Sequence, residues 1–492
     1  MPQRKRSVLV FLLLVPLCMA VPEPSHYTYN YDQRFNYVYS PDAYRVADYL
    51  LGADLGIGNF LDPQGLFIRD NRLYVCDSGN NRIVVLEIQE EGCELKNVVY
   101  SVEIDGVESP FNSPRDIFET ENGDLYIADT NNSRILVLNR DWSCRSVILQ
   151  PDDETIDAEA EFIPSKLVVD SAGRLYLQAA NVNKGLMEFD PQGNFVGYMG
   201  ANKVLYNAID YVWKLISTKA QRAQMQLFIP TEYSNLYLDP EEFIYVTSQS
   251  IATRTSSNII YPVRRLNAVG EDILFRIENF AEPMGDMSFS NNSELSASVR
   301  GASRFIDVTA FDNGVYACFD RTRGRIFVYD FQANLLYAFG GVGGQEGYFT
   351  VPAALDHWGY SLFALDSRSG AVTRFELTRY GETVNAALGA YKRGRYEESA
   401  ALWEEALRMN GNYDLAYIGL GRAAFLQGDY KTAMKYFKLK RQTESYGEAF
   451  QYYRKEWMER NIWWIILALI ALIVAPPLIR IILKLRKEVL ET

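Results

Sequence analysis

Short apolar runs separated by turn residues recur through the middle of the chain. From Pro63 the order is Gly-Leu-Phe-Ile, a polar turn, Arg-Leu-Tyr-Val-Cys-Asp, a second polar stretch, then Arg-Ile-Val-Val-Leu. From Pro114 the same order returns as Asp-Ile-Phe-Glu, a turn at Asn122-Gly123, Leu-Tyr-Ile-Ala-Asp, a polar stretch and Arg-Ile-Leu-Val-Leu. Further copies start near Pro164, Pro230, Phe305 and Pro352. β-branched and aromatic runs of this length, bounded by Gly, Asn, Asp and Ser, predict strands. A fourth run follows in most copies, as over 97–104. Six repeats of four strands predict an all-β, six-bladed propeller.

The two ends of this region predict ring closure. The fifth copy passes to the sixth through Gly340-Gly341…Gly347-Tyr-Phe349…Pro352, and the sixth stops after its third strand near Thr378. Its missing strand stands at the start, Tyr44 to Leu51, followed by Gly52…Gly58-Asn-Phe60…Pro63, which repeats the same linker. The N-terminal strand therefore completes the last blade and removes an open sheet edge.

With Asp77-Ser-Gly-Asn-Asn-Arg82 and Asp129-Thr-Asn-Asn-Ser-Arg134 in its first two copies, the region 44–380 resembles the NHL-repeat family of six-bladed propellers. The third and fourth copies depart from the motif, at Gln178–Lys184 and from Gln249 onward. The resemblance implies the fold; propellers host binders and enzymes alike, so it does not imply a function. Because the Asp and Arg of the turn recur blade after blade, they are expected to bond their own turn. In a blade of four antiparallel strands, the 2–3 turns and the blade-to-blade linkers share one face, and the 1–2 and 3–4 turns share the other. Two insertions, 202–228 and 279–303, interrupt linkers and so fall on the same face. The first predicts a helix whose stripe Val204, Leu205, Ala208, Ile209, Val212, Trp213 and Ile216 either packs on the propeller or docks a partner. The second, rich in Gly, Ser and Asn, reads as a mobile loop. The expected ligand face is this one, with Asp77, Asn80, Asp129, Asn131, Asp320, Asp366 and Trp213 as its candidate residues.

Beyond residue 380 the apolar period changes from 2 to 3.6. Gly394 to Gly428, Tyr396 to Tyr430 and Trp403 to Phe437 are each separated by 34 residues. This spacing resembles tetratricopeptide repeats over 381–460, with a further helix from about Glu444 to Arg460. Such modules bind peptides or helices, or act as spacers; Tyr391, Tyr396, Trp403, Phe425 and Tyr430 are the candidate partner-binding residues.

The chain opens with Arg4-Lys5-Arg6, an apolar run to Leu17 and small residues to Ala20, which predicts a signal peptide over 1–20. A Tyr-rich lead-in, 21–43, either adds a strand to a blade or offers aromatic rings to sugars. Near the other end, Ile462 to Ile479 carries no charge over 18 residues and is flanked by Trp463-Trp464 and by Arg480, Lys484, Arg486 and Lys487. That predicts a transmembrane helix over 461–483, with 484–492 as a cytoplasmic tail and the bulk outside.

Composition then narrows the chemistry. With Lys+Arg 49 against Asp+Glu 62, the 492-residue chain carries net charge −13, which disfavours nucleic acid. It holds only two histidines, His26 and His357, which excludes a multi-histidine metal site. His357 falls in a strand 1–2 turn and reads as structural. Cys76 and Cys318 read as core residues, whereas Cys93 and Cys144, in 3–4 turns of adjacent blades, could pair. Two functions are expected. One is a single-pass, cell-membrane scaffold without a cofactor, binding a protein or glycan outside and contacting a membrane-embedded partner. The alternative comes from resemblance alone: some six-bladed propellers similar to this one are divalent-metal-dependent lactonases or esterases that use Glu, Asn and Asp at the channel mouth. That would make Glu232, Asp77, Asp129, Asp320 and Asp366 the candidate ligands here.

Overall fold

The computed structural model describes residues 28–31, 37–156, 161–180, 182, 184–200, 232–249, 254–255, 258–259, 261–276, 284–286 and 302–490. The expected signal peptide, the insertion helix with Trp213, and most of 279–303 lie outside them. Six sheets form a six-bladed propeller, and five helices follow. Blades one to three are four-stranded sheets over residues 65–99, 114–148 and 163–199. Blade four pairs Tyr233–Leu238, Ile244–Ser248 and Val263–Leu266; blade five runs from Phe305 to Gly340. Blade six begins with Pro352–Trp358, Ser361–Asp366 and Ala371–Leu377, and Tyr44–Leu51 pairs antiparallel with the last of these as its fourth strand. Strands such as Leu125–Asp129 are buried at every position because each sheet packs against a neighbour on both faces.

Two local expectations shift. Blade one takes Gly92–Val99 as its fourth strand, and Ser101–Ile104 instead pairs with Val107–Pro110 as a separate hairpin. The slip is one of register: Val98 and Val99 already complete the sheet, so the next apolar residues turn back on themselves. The Tyr-rich lead-in adds Thr28–Tyr31 and Tyr37–Ser40 outside the last strand of blade five, making a six-stranded sheet.

The helices are α1 (Arg379–Lys392), α2 (Tyr396–Met409), α3 (Asp414–Leu426), α4 (Tyr430–Leu439) and α5 (Thr443–Leu490). The Thr378 hydroxyl caps α1 by accepting the Gly381 N–H, and Asp429 caps α4 by accepting that of Thr432. α1 and α2, then α3 and α4, form two helical hairpins. They share one core with the propeller: Val384, Ala387, Leu388, Trp403, Tyr413, Ala416 and Leu420 pack with Phe311, Val315, Leu336 and Tyr337 of blade five. Polar contacts tie the same junction. Asn385 donates to the Tyr337 hydroxyl at 3.0 Å, and Lys392 reaches Glu241 and the Asp312 carbonyl. Since Glu241 and Asp312 sit in strand 1–2 turns, the hairpins cover the face opposite the blade-to-blade linkers.

Gly419 shows how tightly the hairpins are built. A Cβ there would stand 2.3 Å from the Trp403 indole nitrogen. Glycine to alanine inside a helix normally stabilises by about 1 kcal/mol; overpacking at a buried contact costs about 1–3 kcal/mol. Gly419→Ala is therefore expected to lower stability, read as a decrease in the denaturation midpoint of the full chain.

Candidate functional site

The linker face is built from the 2–3 turns. In blade one, Asp77 accepts the Leu61 N–H at 2.7 Å, the Asn80 amide at 2.8 Å and Arg82 Nε at 2.6 Å. In blade two, Asp129 accepts the Asn112 N–H at 2.8 Å, the Asn132 amide at 2.8 Å and Arg134 Nε at 2.7 Å. Each turn is also stitched to the next blade: Ser78 donates to the Pro114 carbonyl and Thr130 to that of Pro164. The expected Asn131 is replaced in this wiring by Asn132. The two turns align on their Asp and Arg, so Asn80 corresponds to Asn132, while Asn131 is exposed and bonds through its backbone.

Blade five keeps the Asp and Arg but not the pair. Arg325 turns instead to Asp286, 2.7 Å away, which also accepts Arg323 at 3.1 Å and the hydroxyls of Tyr29 and Tyr31. Asp286 is fully buried and belongs to the insertion read as a mobile loop. Its neighbour Gly285 bonds the Tyr329 hydroxyl, and its own N–H bonds Ser303. That part of the insertion is thus a plug, held by charges that hydrophobic patterning does not register. Left without its arginine, Asp320 accepts Ser303 Oγ at 2.7 Å and two backbone N–H groups, and burial pushes its carboxyl up to about 6. In blade six Ala371 stands where the arginine would be, and Asp366 is satisfied by backbone N–H groups of Val351, Arg368 and Ser369. Glu232 lies half-buried before the first strand of blade four. The candidate carboxylates are therefore spread over five blades rather than gathered, and Asp77, Asp129, Asp320 and Asp366 each have their own partners.

A second polar set lies on the innermost strands. A bulge recurs near the start of this strand in five blades, at Arg115, Ser165, Ser234, Ile306 and Ala353. Immediately after it stand Asp116, Lys166, Asn235 and Asp307 in blades two to five. Asp116 accepts the Leu167 N–H of the next blade at 2.9 Å, Asp307 that of Leu355 at 2.7 Å, and Asp356 that of Ile68 at 2.7 Å. Lys166 reaches Asp116 at 3.4 Å and the Gln64 carbonyl at 3.2 Å. These carboxylates clasp neighbouring blades. Burial raises Asp116, and pushes Asp307 and Asp356 up to about 7. Burial likewise pushes His357 down to about 4, and its Nδ1 lies 2.6 Å from the Thr309 hydroxyl. Sequence reading passed over this set because each member sits singly in an apolar run; aligning the copies on their first strand would have exposed it.

Among the described residues, no three His, Cys, Asp or Glu side chains are grouped so as to hold a metal ion. The four described cysteines are free, including Cys93 and Cys144. A polar groove of about 390 Å³ opens where blades six and one meet, lined by Arg45, Asp48, Glu90, Glu91, Arg374 and Glu376. The candidate helical residues are engaged internally. Trp403 is buried beside Tyr413, Tyr391 stacks on Phe331 of blade five, Tyr396 meets Tyr391, and Phe425 and Tyr430 pack on Tyr452 of α5.

A family model described as NHL repeat matches residues 60–86. NHL repeat-containing protein 2 of Gallus gallus is 33% identical over 118 residues, 22% of this chain and 16% of that protein, so the chain spans only that fraction of its relative. Among solved structures, virginiamycin B lyase from Staphylococcus aureus matches over 68% of this chain and 100% of its own at 11% identity, with a TM-score of 0.41. Kuenenia stuttgartiensis hydrazine synthase matches over 64% and 84% at 12% identity, with a TM-score of 0.37.

Removing Asp77 would leave the buried Arg82 charge with neutral acceptors only, the Ile57 and Asn59 carbonyls and the Tyr100 hydroxyl, and breaking a buried ion pair costs about 3–5 kcal/mol. Asp77→Ala is expected to lower unfolding free energy by that order, measured by urea titration, and to do so more than Asp366→Ala, whose partners are backbone N–H groups. The inner-strand carboxylates make a pH prediction. A folded carboxyl above its unfolded value of about 3.9 holds its proton more tightly in the fold. Its stabilisation is complete at low pH and is lost as pH rises through about 7 for Asp307 and Asp356. His357 pulls the other way, but only below its unfolded value of 6.5. Tm should therefore fall from pH 6.5 to about pH 8, with a shallower slope in Asp356→Asn.

Proposed function

We propose that the chain is a membrane-anchored binding scaffold whose propeller faces outside the cell and recognises a protein or a glycan. The observation that carries this reading is α5. By length and composition it can cross a bilayer: its most apolar stretch has mean hydropathy 2.7, and none of that stretch is buried within the protein. Eighteen uncharged residues left bare would be an exceptional exposed apolar patch on a soluble protein. Charge supports the direction of insertion. Arg480, Lys484, Arg486 and Lys487 follow the span within one chain of net charge −13, and basic flanks stay on the cytoplasmic side.

The shared core between blade five and the hairpins supports the scaffold part. A propeller fused to its mount cannot swivel freely, so what binds it is held at a fixed attitude to the span. The hairpins, similar to tetratricopeptide repeats in spacing, act on this reading as the rigid coupler, with their outer faces left for a membrane-embedded partner. The linker face, opposite the mount, is the recognition surface, and no cofactor is required. A metal-dependent hydrolase lacks a ligand cluster to start from among the described residues.

The full chain is expected to stay in the membrane pellet after alkaline carbonate extraction. A chain ending at Asn461 should become soluble with its melting transition retained. Recovery of the full chain in the carbonate supernatant would refute anchoring. Surface biotinylation of whole cells tests the sidedness.

A further inference from the structure

α5 carries Pro476 and Pro477 inside its membrane-crossing stretch. A proline has no N–H and cannot donate to the carbonyl four residues back. The helix therefore leaves the carbonyls of Leu472 and Ile473 without their usual donors. Tightening or loosening the turn does not repair this, because it only passes the shortage to a neighbouring carbonyl. Ile462 begins the uncharged run, and Leu472 lies about 15 Å further on, half of a hydrocarbon core of about 30 Å. The two unsatisfied carbonyls thus fall near the middle of the bilayer, where water does not reach them and a missing hydrogen bond is costly.

The surroundings narrow what can supply the donors. Acyl chains have none. The helix's own side chains from Ile465 to Ile479 are Ile, Leu, Val, Ala and Pro, so there is no hydroxyl or amide to bond back onto the backbone. Trp464 and Arg480, the nearest side chains with an N–H, stand at least about 10 Å away along the axis. A second copy of the span, anchored in the same direction, brings the same donor-free stretch to the same depth. No other described part of the chain covers the region: Leu472 is 75% exposed and Ile473 71%. What remains is a helix of a different membrane protein with a polar side chain at that depth. Close approach is open to it. Ala468, Ala471 and Ala475, at i, i+3 and i+7, fall within an arc of about 60°, and Leu472 lies about 40° from its edge. Small residues let a neighbouring backbone come near enough for interhelical hydrogen bonds.

We infer that the span docks against a transmembrane helix of a different protein, one that presents a hydroxyl or carboxamide donor to the Leu472 and Ile473 carbonyls. This rests on the anchored reading above and places the contact with the membrane-embedded partner inside the bilayer. The prolines then serve recognition, since they expose acceptors that an uninterrupted helix hides.

The test places the full chain in phosphatidylcholine vesicles with a synthetic poly-leucine transmembrane peptide at high dilution. The peptide carries one asparagine at its midpoint, one asparagine near an end, or none. Energy transfer between a dye on the peptide and a dye at the C-terminus of the chain reads association. The midpoint-asparagine peptide should associate several-fold more than the other two. Pro476→Ala with Pro477→Ala, which restores both N–H groups, should bring it down to the all-leucine level. Ala471→Leu with Ala475→Leu should lower it too, by holding the partner off, and both variants should keep the propeller's melting transition. Equal association of the three peptides, or a midpoint preference that survives the proline exchange, would overturn the inference. So would proline-dependent energy transfer between two copies of the chain without peptide, which assigns the carbonyls to a second copy. Carbonate extraction of the same vesicles separates loss of docking from loss of anchoring.

Discussion

Everything else in the molecule hangs on one strand pairing, Tyr44–Leu51 against Ala371–Leu377. It joins the two ends of the propeller sequence, so its contacts form only after the longest loop between any two paired strands among the described residues has closed. The entropic cost of that closure grows only with the logarithm of length, whereas an unclosed ring would leave strand edges open along a whole blade. Closure also sets where the next elements go. Thr378 donates its N–H to the Ala43 carbonyl, and α1 begins one residue later with that threonine as its cap. Ser40, just before the closing strand, meets Tyr380 of α1 and Asn410 at the end of α2. The strand that seals the ring therefore also fixes the mount, and the lead-in before it is drawn along blade five as a strap.

Blade five is where the repeat was spent on something else. Blades one and two close their turns with an Asp–Arg pair five residues apart, and blade five has the same two residue types at Asp320 and Arg325. Diverting Arg325 to Asp286 leaves Asp320 to neutral donors, and burial raises its carboxyl. What is gained is a buried centre in which one carboxylate meets two guanidinium groups and two phenols from three separate segments. A buried charge of this kind is not net stabilising in itself, since desolvation offsets the attraction. Its effect is specificity: the strap, the insertion and the blade fit together in one way, because any other arrangement leaves a charge unpaired.

The sequence shows the propeller plainly because the information is local. Each blade repeats its own apolar period and its own turn residues, and the linker before Pro352 is copied before Pro63, so closure can be read by comparing two stretches of text. The hairpins are equally plain from the 34-residue spacing. What escapes is whatever depends on residues far apart in sequence. Asp286 looks like one acid in a polar loop; only the fold brings Tyr29, Tyr31, Arg323 and Arg325 to it. Asp116, Asp307 and Asp356 each interrupt an apolar run and look like isolated exceptions until the blades are set side by side. The exchange of Asn131 for Asn132 is a slip of one residue in a turn where two asparagines are adjacent. Which face of the propeller the hairpins cover is not written in either segment, because Phe311, Leu336 and Tyr337 read as ordinary core positions of blade five.

That hidden contact decides how the parts can work together. In an unattached pair of hairpins, the face formed by α1 and α3 would be free for a peptide. Here Leu388, Tyr391, Leu415 and Arg422 on those helices close over Asp330, Phe331 and Gln332, a turn of blade five. The surface that would give the hairpins an independent ligand is the surface that holds the propeller. The surfaces the mount leaves uncovered include the linker face and the groove between blades six and one. Blade five, the strap and the hairpins are joined by buried cores and polar ties, so the propeller is held to its mount through packed side chains rather than through a linker. On the anchored reading proposed above, a propeller fixed in this way offers a partner a set orientation.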